Sequence, residues 1–144
     1  MKELAKMVLG EKWLDYFDVG VIKEKEGEYV VELVEKKEQK PEEGENIVCN
    51  GFYNPVEIID FPVRGKVLFL KFSRRRWRDN KTGKDYVNTY EFHKPGMKVG
   101  IEFALFLKEN NREEISKLFI DVAHAWDLLE EDFQMVQRGA VRIP

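Results

Sequence analysis

Twelve residues, Val67-Leu-Phe-Leu-Lys-Phe-Ser-Arg-Arg-Arg-Trp-Arg78, constrain this chain more than any other stretch. The first half is dense in apolar side chains and favours a strand buried on at least one face. After Ser73 four arginines surround Trp77, and guanidinium groups cannot be buried together without partners. The strand must therefore begin in a core and end at a surface. Asp79-Asn-Lys-Thr-Gly-Lys84 reads as a polar loop, with Gly83 able to supply a left-handed residue, and Asp85-Tyr-Val-Asn-Thr-Tyr-Glu-Phe92 as a returning strand. This predicts a protruding basic β-hairpin over residues 67–92. Alternate strand residues share a face about 6.8 Å apart, so Arg74, Arg76 and Arg78 form a comb on one face, with Arg75 and Trp77 on the other.

Charge points the same way. From Arg64 to Lys98 there are eleven basic and three acidic residues, a balance of +8, whereas the whole chain carries −3; the remainder therefore carries −11. Such segregation favours a polyanionic partner for the basic end. A chain of 144 residues with 43% hydrophobic content can build one domain with a real core. Its single cysteine, Cys49, excludes an intrachain disulfide and a multi-cysteine zinc site, in keeping with a reducing compartment. Without a long apolar run or a signal-peptide pattern, the expectation is a cytoplasmic protein with no membrane partner.

The periodicities predict an α+β fold in which an antiparallel sheet of about five strands packs against helices. A short helix carries Leu4, Met7 and Val8 on one face and stops at Gly10; Trp13, Leu14 and Phe17 follow as core or lid. Val19–Glu24 and Glu28–Val34 read as paired strands, with Tyr29, Val31 and Leu33 facing inward. Residues 35–46 are nearly all Lys, Glu, Gln, Pro and Gly and predict a mobile loop. Ile47–Cys49 and Val56–Asp60 read as strands, Asn50–Pro55 as turn punctuation and Phe61–Lys66 as a connection. A helix over Met97–Asn110 completes a domain of residues 1–110. A long helix over residues 111–138 follows, opened by the pair Asn111 and Glu114 and closed by Gly139. Its residues Ile115, Phe119, Val122, Trp126, Leu129, Phe133 and Val136 recur at spacings of four and three, a seam for internal packing or for a homodimer or other partner.

For chemistry, the arginine comb is the most specific feature: planar, permanently charged groups suit phosphate and guanine, and a two-stranded ribbon fits the DNA major groove. Trp77 is placed to stack on a base. A helix-turn-helix made from the last two helices is disfavoured by Asp121, Asp127, Glu130, Glu131 and Asp132 on the side that would meet phosphate. Thr82-Gly83-Lys84 fails as a phosphate loop, because Arg78 stands where the first glycine belongs and Asp85 where Ser or Thr does. His93 and His124 have no ligand partner at motif spacing and read as structural, and Cys49 as a small core residue. Asp60 and Glu57 with Lys66 are a weak candidate for a nuclease metal site. The expectation is a protein with no catalytic residues, no metal and no cofactor.

Taken together, Leu14-Asp-Tyr-Phe17, Gly51-Phe52, Ile59-Asp-Phe-Pro-Val-Arg-Gly-Lys66, Arg74-Arg-Arg-Trp77 with Gly83, and Glu102-Phe-Ala104 through Phe106-Leu-Lys108 resemble the N-terminal region proteins of bacterial insertion-sequence transposases of the ISAon type. The resemblance covers about residues 12 to 109 and leaves out the terminal helix. It implies a split transposase, in which this chain is a non-catalytic DNA-binding or assembly component beside a separate catalytic chain. The expected contacts to double-stranded DNA are Arg64, Lys66, Arg74, Arg75, Arg76, Trp77, Arg78, Lys81 and Lys84. The alternative is a protein-interaction module without a nucleic-acid role.

Overall fold

A computed structural model describes residues 2–41 and 46–143. The α+β class holds, with seven strands in two sheets among the described residues where about five in one were expected. Strands β1 (Phe17–Lys25), β2 (Glu28–Glu35), β4 (Val56–Val63) and β5 (Lys66–Ser73) form one sheet in the order β1-β2-β5-β4; β3 (Ile47–Phe52), β6 (Arg75–Asp79) and β7 (Asp85–Tyr86) form another in the order β3-β6-β7. The first sheet is mixed, not antiparallel throughout. Val67 N–H donates to Gly27 O at the starts of β5 and β2, and Arg75 N–H reaches Glu35 past the end of β5, so these two strands run in parallel. Arg64 and Gly65 join β4 to β5 with φ of 52° and 81°, the paired left-handed residues of a type I′ turn.

By internal contacts the chain divides into two compact units. The first comprises Met1–Ile22, Glu32–Val56 and Lys71–Tyr90; the second comprises Lys23–Val31, Glu57–Leu70 and Glu91–Pro144. Residues 91–110, expected with the N-terminal domain, thus share the second unit with the terminal helices.

The first unit contains α1 (Lys2–Leu9), α2 (Glu11–Leu14) and the second sheet. Helix α1 stops at Gly10, as expected, but leaves Leu4, Met7 and Val8 exposed. The core is aromatic: the Phe72 ring lies 4.9 Å from Trp13 and 5.0 Å from Phe17, which lies 5.0 Å from Tyr90. The Phe17–Phe72 pair is edge-on and the other two are tilted, and aromatic pairs add about 0.5–1.5 kcal/mol each beyond area burial. The basic strand ends differently from the expected hairpin. Its returning strand is only Asp85–Tyr86, because Asn88 and Tyr90 turn inward to hydrogen-bond the Glu35 carboxylate; its longer partner is β3, paired antiparallel. The expected mobile loop over 35–46 is regular structure at its start. Glu35 is the last residue of β2 and fully buried, Lys37–Gln39 form a 3-10 turn, and residues 42–45 lie outside the described ones.

In the second unit α3 (Ile101–Glu109), α4 (Arg112–Ser116) and α5 (Val122–Gln137) pack around Val99, Phe103, Leu107, Ile115, Leu129 and Val136. Each such side chain contributes about 1.5–3 kcal/mol by leaving water. The single helix expected over 111–138 is two helices. At the break, the Ile120 N–H donates to Gly65 O instead of to its own helix, and the Asp121 side chain accepts from His124 N–H to start α5 anew. The expected seam is internal packing: Ile115, Phe119, Leu129, Phe133 and Val136 are buried in this core, Trp126 packs against it, and Val122 remains exposed. Asp132, expected on the acidic outer face, is buried and accepts the Lys98 and Val99 N–H groups at 2.7 and 2.9 Å, fixing the segment that covers the edge of β4.

Candidate nucleic-acid interface

The site is built from residues of the first unit alone. Loop Asp79–Lys84 is held by Asp79, whose Oδ1 accepts the Lys81 and Thr82 N–H groups at 2.8 and 3.2 Å, while Gly83 takes φ of 75°. This leaves Lys81 and Lys84 exposed at the tip, with Lys84 Nζ 5.0 Å from the centre of the Tyr86 ring.

Register then sorts the arginines. Arg78 pairs across with Val48 and Asp85, and Trp77 with Cys49 and Tyr86, so Arg76 and Arg78 share one face while Arg75 and Trp77 share the other. Arg74, in the short break between β5 and β6, joins the comb face: its guanidinium and that of Arg76 stand 5.9 and 5.2 Å from the centre of the Tyr53 ring. Arg78 has the exposed Asp85 carboxylate at 3.7 Å, a pair of little energetic weight. Arg76 has no carboxylate partner among the described residues.

On the opposite face Arg75 is tied into the structure. Its N–H donates to Glu35 Oε1 at 3.1 Å and its Nε to Glu35 O at 2.7 Å, and its guanidinium lies 5.1 Å from the Phe52 ring centre. Glu35 is fully buried yet accepts from three sources, the Arg75 N–H, Asn88 Nδ2 and the Tyr90 hydroxyl. Burial, followed by the hydrogen bond to Glu35, raises the Tyr90 hydroxyl above its ordinary pKa, so it stays a donor. The network anchors the chain on both sides of the basic strand.

Two expected roles change. Trp77, placed to stack on a base, is only 4% exposed and faces inward, and its Nε1 is buried without a hydrogen-bond partner. Cys49, expected in the core, is exposed and accepts a long 3.5 Å contact from Arg75 Nη1. The exposed aromatic ring in the cluster is Phe52, 44% accessible, with half-buried Tyr53 beside it. Sequence reasoning passed over both, because Asn50-Gly-Phe-Tyr-Asn-Pro55 reads as a turn; the interleaving of Phe-Tyr with three arginines appears only once β3 is paired to β6.

Arg64 and Lys66 belong to the second unit. Arg64 serves the left-handed turn, and Lys66 is paired with Glu24 and lies 5.0 Å over Tyr29; the Glu24 contact raises its pKa. His124 contacts Glu28 at 2.6 Å and His93 Nδ1 its neighbouring Lys94 carbonyl at 2.8 Å, both consistent with structural roles. Among the described residues no three His, Cys, Asp or Glu side chains are grouped to hold a metal. A separate cleft of about 380 Å³, lined by Asp15, Asp18, Lys36, Glu38 and Gln39, is acidic and unsuited to a polyanion. No helix among the described residues is long and apolar enough to cross a membrane. No protein-family model matches the chain, and comparison with curated proteins and with solved structures returns no match either.

Proposed function

We propose that this protein binds nucleic acid through the sheet β3-β6-β7, with Arg74, Arg76 and Arg78 as the phosphate-contacting row and Lys81 and Lys84 extending it. The observation that carries this reading is the pairing of Arg74 and Arg76 on one tyrosine ring, with Arg76 lacking any carboxylate among the described residues. A cation–π contact holds a guanidinium in place without neutralising it, so its charge stays available to an incoming anion. Alternate strand residues recur about every 6.8 Å, twice the roughly 3.4 Å axial rise per nucleotide of one DNA strand. The resemblance to split insertion-sequence transposases supplies a setting, a non-catalytic DNA-contacting component acting beside a separate catalytic chain.

The test is fluorescence anisotropy of labelled DNA titrated at two salt concentrations with the wild-type protein and with Arg74→Ala/Arg76→Ala. Binding that weakens steeply with salt and falls at least tenfold in the folded double mutant is the expected result; unchanged affinity in the double mutant would sink the proposal.

A second reading, a protein-interaction module, is favoured by a different observation: Leu4, Met7, Val19, Val21 and Ile22 are exposed, Met7 to 83%. Aliphatic exposure of this kind suits a protein surface better than phosphate. A protein that binds no nucleic acid at low salt would leave this reading standing alone.

A further inference from the structure

Phe52 is a large ring that the fold does not need where it is. It lies on β3, the edge strand of its sheet, 44% exposed, just after a register shift between Cys49 and Phe52 that coincides with Gly51 at φ of 89°. A bulge at a strand end re-aims the side chain that follows it. Here it leaves a phenylalanine exposed at the sheet edge: Arg75 lies against Phe52 on one face, while Arg74 and Arg76 flank the adjacent Tyr53 on the other. Burial gives no reason for this ring to be phenylalanine, since a polar residue at the same edge would leave less apolar surface in water.

We infer that Phe52 is a base-stacking platform at the sheet edge, so that this site takes single-stranded nucleic acid in preference to duplex. The inference rests on the nucleic-acid reading above and specifies its ligand. In a duplex the faces of the bases are already stacked on one another, and only phosphates, sugars and base edges are offered to a protein. An exposed ring gains nothing from such a surface. A single strand offers unstacked faces, and aromatic rings flanked by arginines bind them with little regard to sequence while the arginines hold the backbone. The inward-facing Trp77 cannot take this part, which passes to Phe52 at the end of the neighbouring strand.

The experiment is anisotropy titration of a labelled 15-nucleotide mixed-sequence DNA strand, its RNA counterpart and the corresponding DNA duplex, with wild type, Phe52→Ala, Phe52→Trp and Arg76→Ala. The platform predicts that at least one single strand binds more tightly than the duplex, and the DNA and RNA arms tell which. Loss of one stacked base by Phe52→Ala should weaken single-strand binding by about 5- to 150-fold. Its salt slope and duplex affinity should not change, because no charge is removed, and Phe52→Trp should keep wild-type affinity. Arg76→Ala should weaken all three ligands and make the salt slope shallower. Duplex affinity equal to or above that of both single strands, or unchanged single-strand affinity in Phe52→Ala, would overturn the platform and leave the nucleic-acid reading intact. Absence of binding to all three ligands would overturn both. Circular dichroism melting of each variant shows that the fold survives, since Phe52 lies at an exposed edge.

Discussion

At the scale of single residues, two carboxylates show how burial is handled in different ways. Glu35 is fully buried and satisfied by three donors. Asp60, on β4, accepts a hydrogen bond from the Phe61 N–H at 2.8 Å. Burial, reinforced by the charge of Glu102, raises its pKa to about 6. Because the folded value lies above the unfolded one of about 3.9, the folded state keeps a proton that the unfolded chain has already released between about pH 4 and pH 6. This contribution to stability is therefore full below pH 4, declines as pH rises through 6 and is flat above that, a loss of about 3 kcal/mol for a shift of about two units. Asp60→Asn keeps an oxygen for the Phe61 N–H and has no proton to lose. Urea unfolding should find the variant more stable than wild type at pH 7.5 and nearly equal to it at pH 4. Parallel pH profiles for the two proteins would refute the assignment.

At the scale of elements, the β4–β5 turn is the most demanding connection. Gly65 has φ of 81°, and a Cβ built on it would lie 2.5 Å from Ile120 Cγ1. A side chain there meets both a backbone penalty of about 1–2 kcal/mol and overpacking of about 1–3 kcal/mol. Gly65→Ala should destabilise by about 2–5 kcal/mol. Ile120 is 78% exposed, so Ile120→Ala should cost little alone but recover the overpacking share when combined with Gly65→Ala, leaving the backbone share. Additive effects in that double-mutant cycle would mean that the two residues do not meet. The same contact explains part of what the sequence left hidden. A spacing of four and three from Ile115 to Val136 reads as one helix, and only a hydrogen bond from Ile120 to a residue 55 positions earlier reveals the break. The faces of the arginine comb were legible, because alternation is local. Which face would be buried was not, since that depends on packing from residues distant in sequence, and the pairing of β3 with β6 brings Phe52, whose local pattern shows only a turn, opposite Arg75.

For the whole molecule, the −3 net charge conceals a basic segment of +8 and a remainder of −11. The Debye length is about 8 Å at 0.15 M salt and about 30 Å at 0.01 M, so a bound polyanion should feel acidic groups more than about 8 Å away chiefly in dilute buffer. Above about 0.1 M, log affinity should fall linearly with log salt, by about 0.7–0.9 per phosphate contacted. Toward 0.01 M the line should flatten. Anisotropy across that range checks this, and a line that stays straight would mean that the acidic charge is not felt at the site. The order in which the chain is made adds a different consequence of the two-unit division. Every segment of the unit that carries the arginine row is in hand once Tyr90 has been synthesised, whereas the other unit still needs residues 91–144. At about 5–20 residues per second, those 54 residues take roughly 3–11 s. During that interval the chain already made carries 17 basic and 17 acidic residues, so the nascent arginine row is presented from a neutral chain, and the whole −3 balance arrives with residues 91–144.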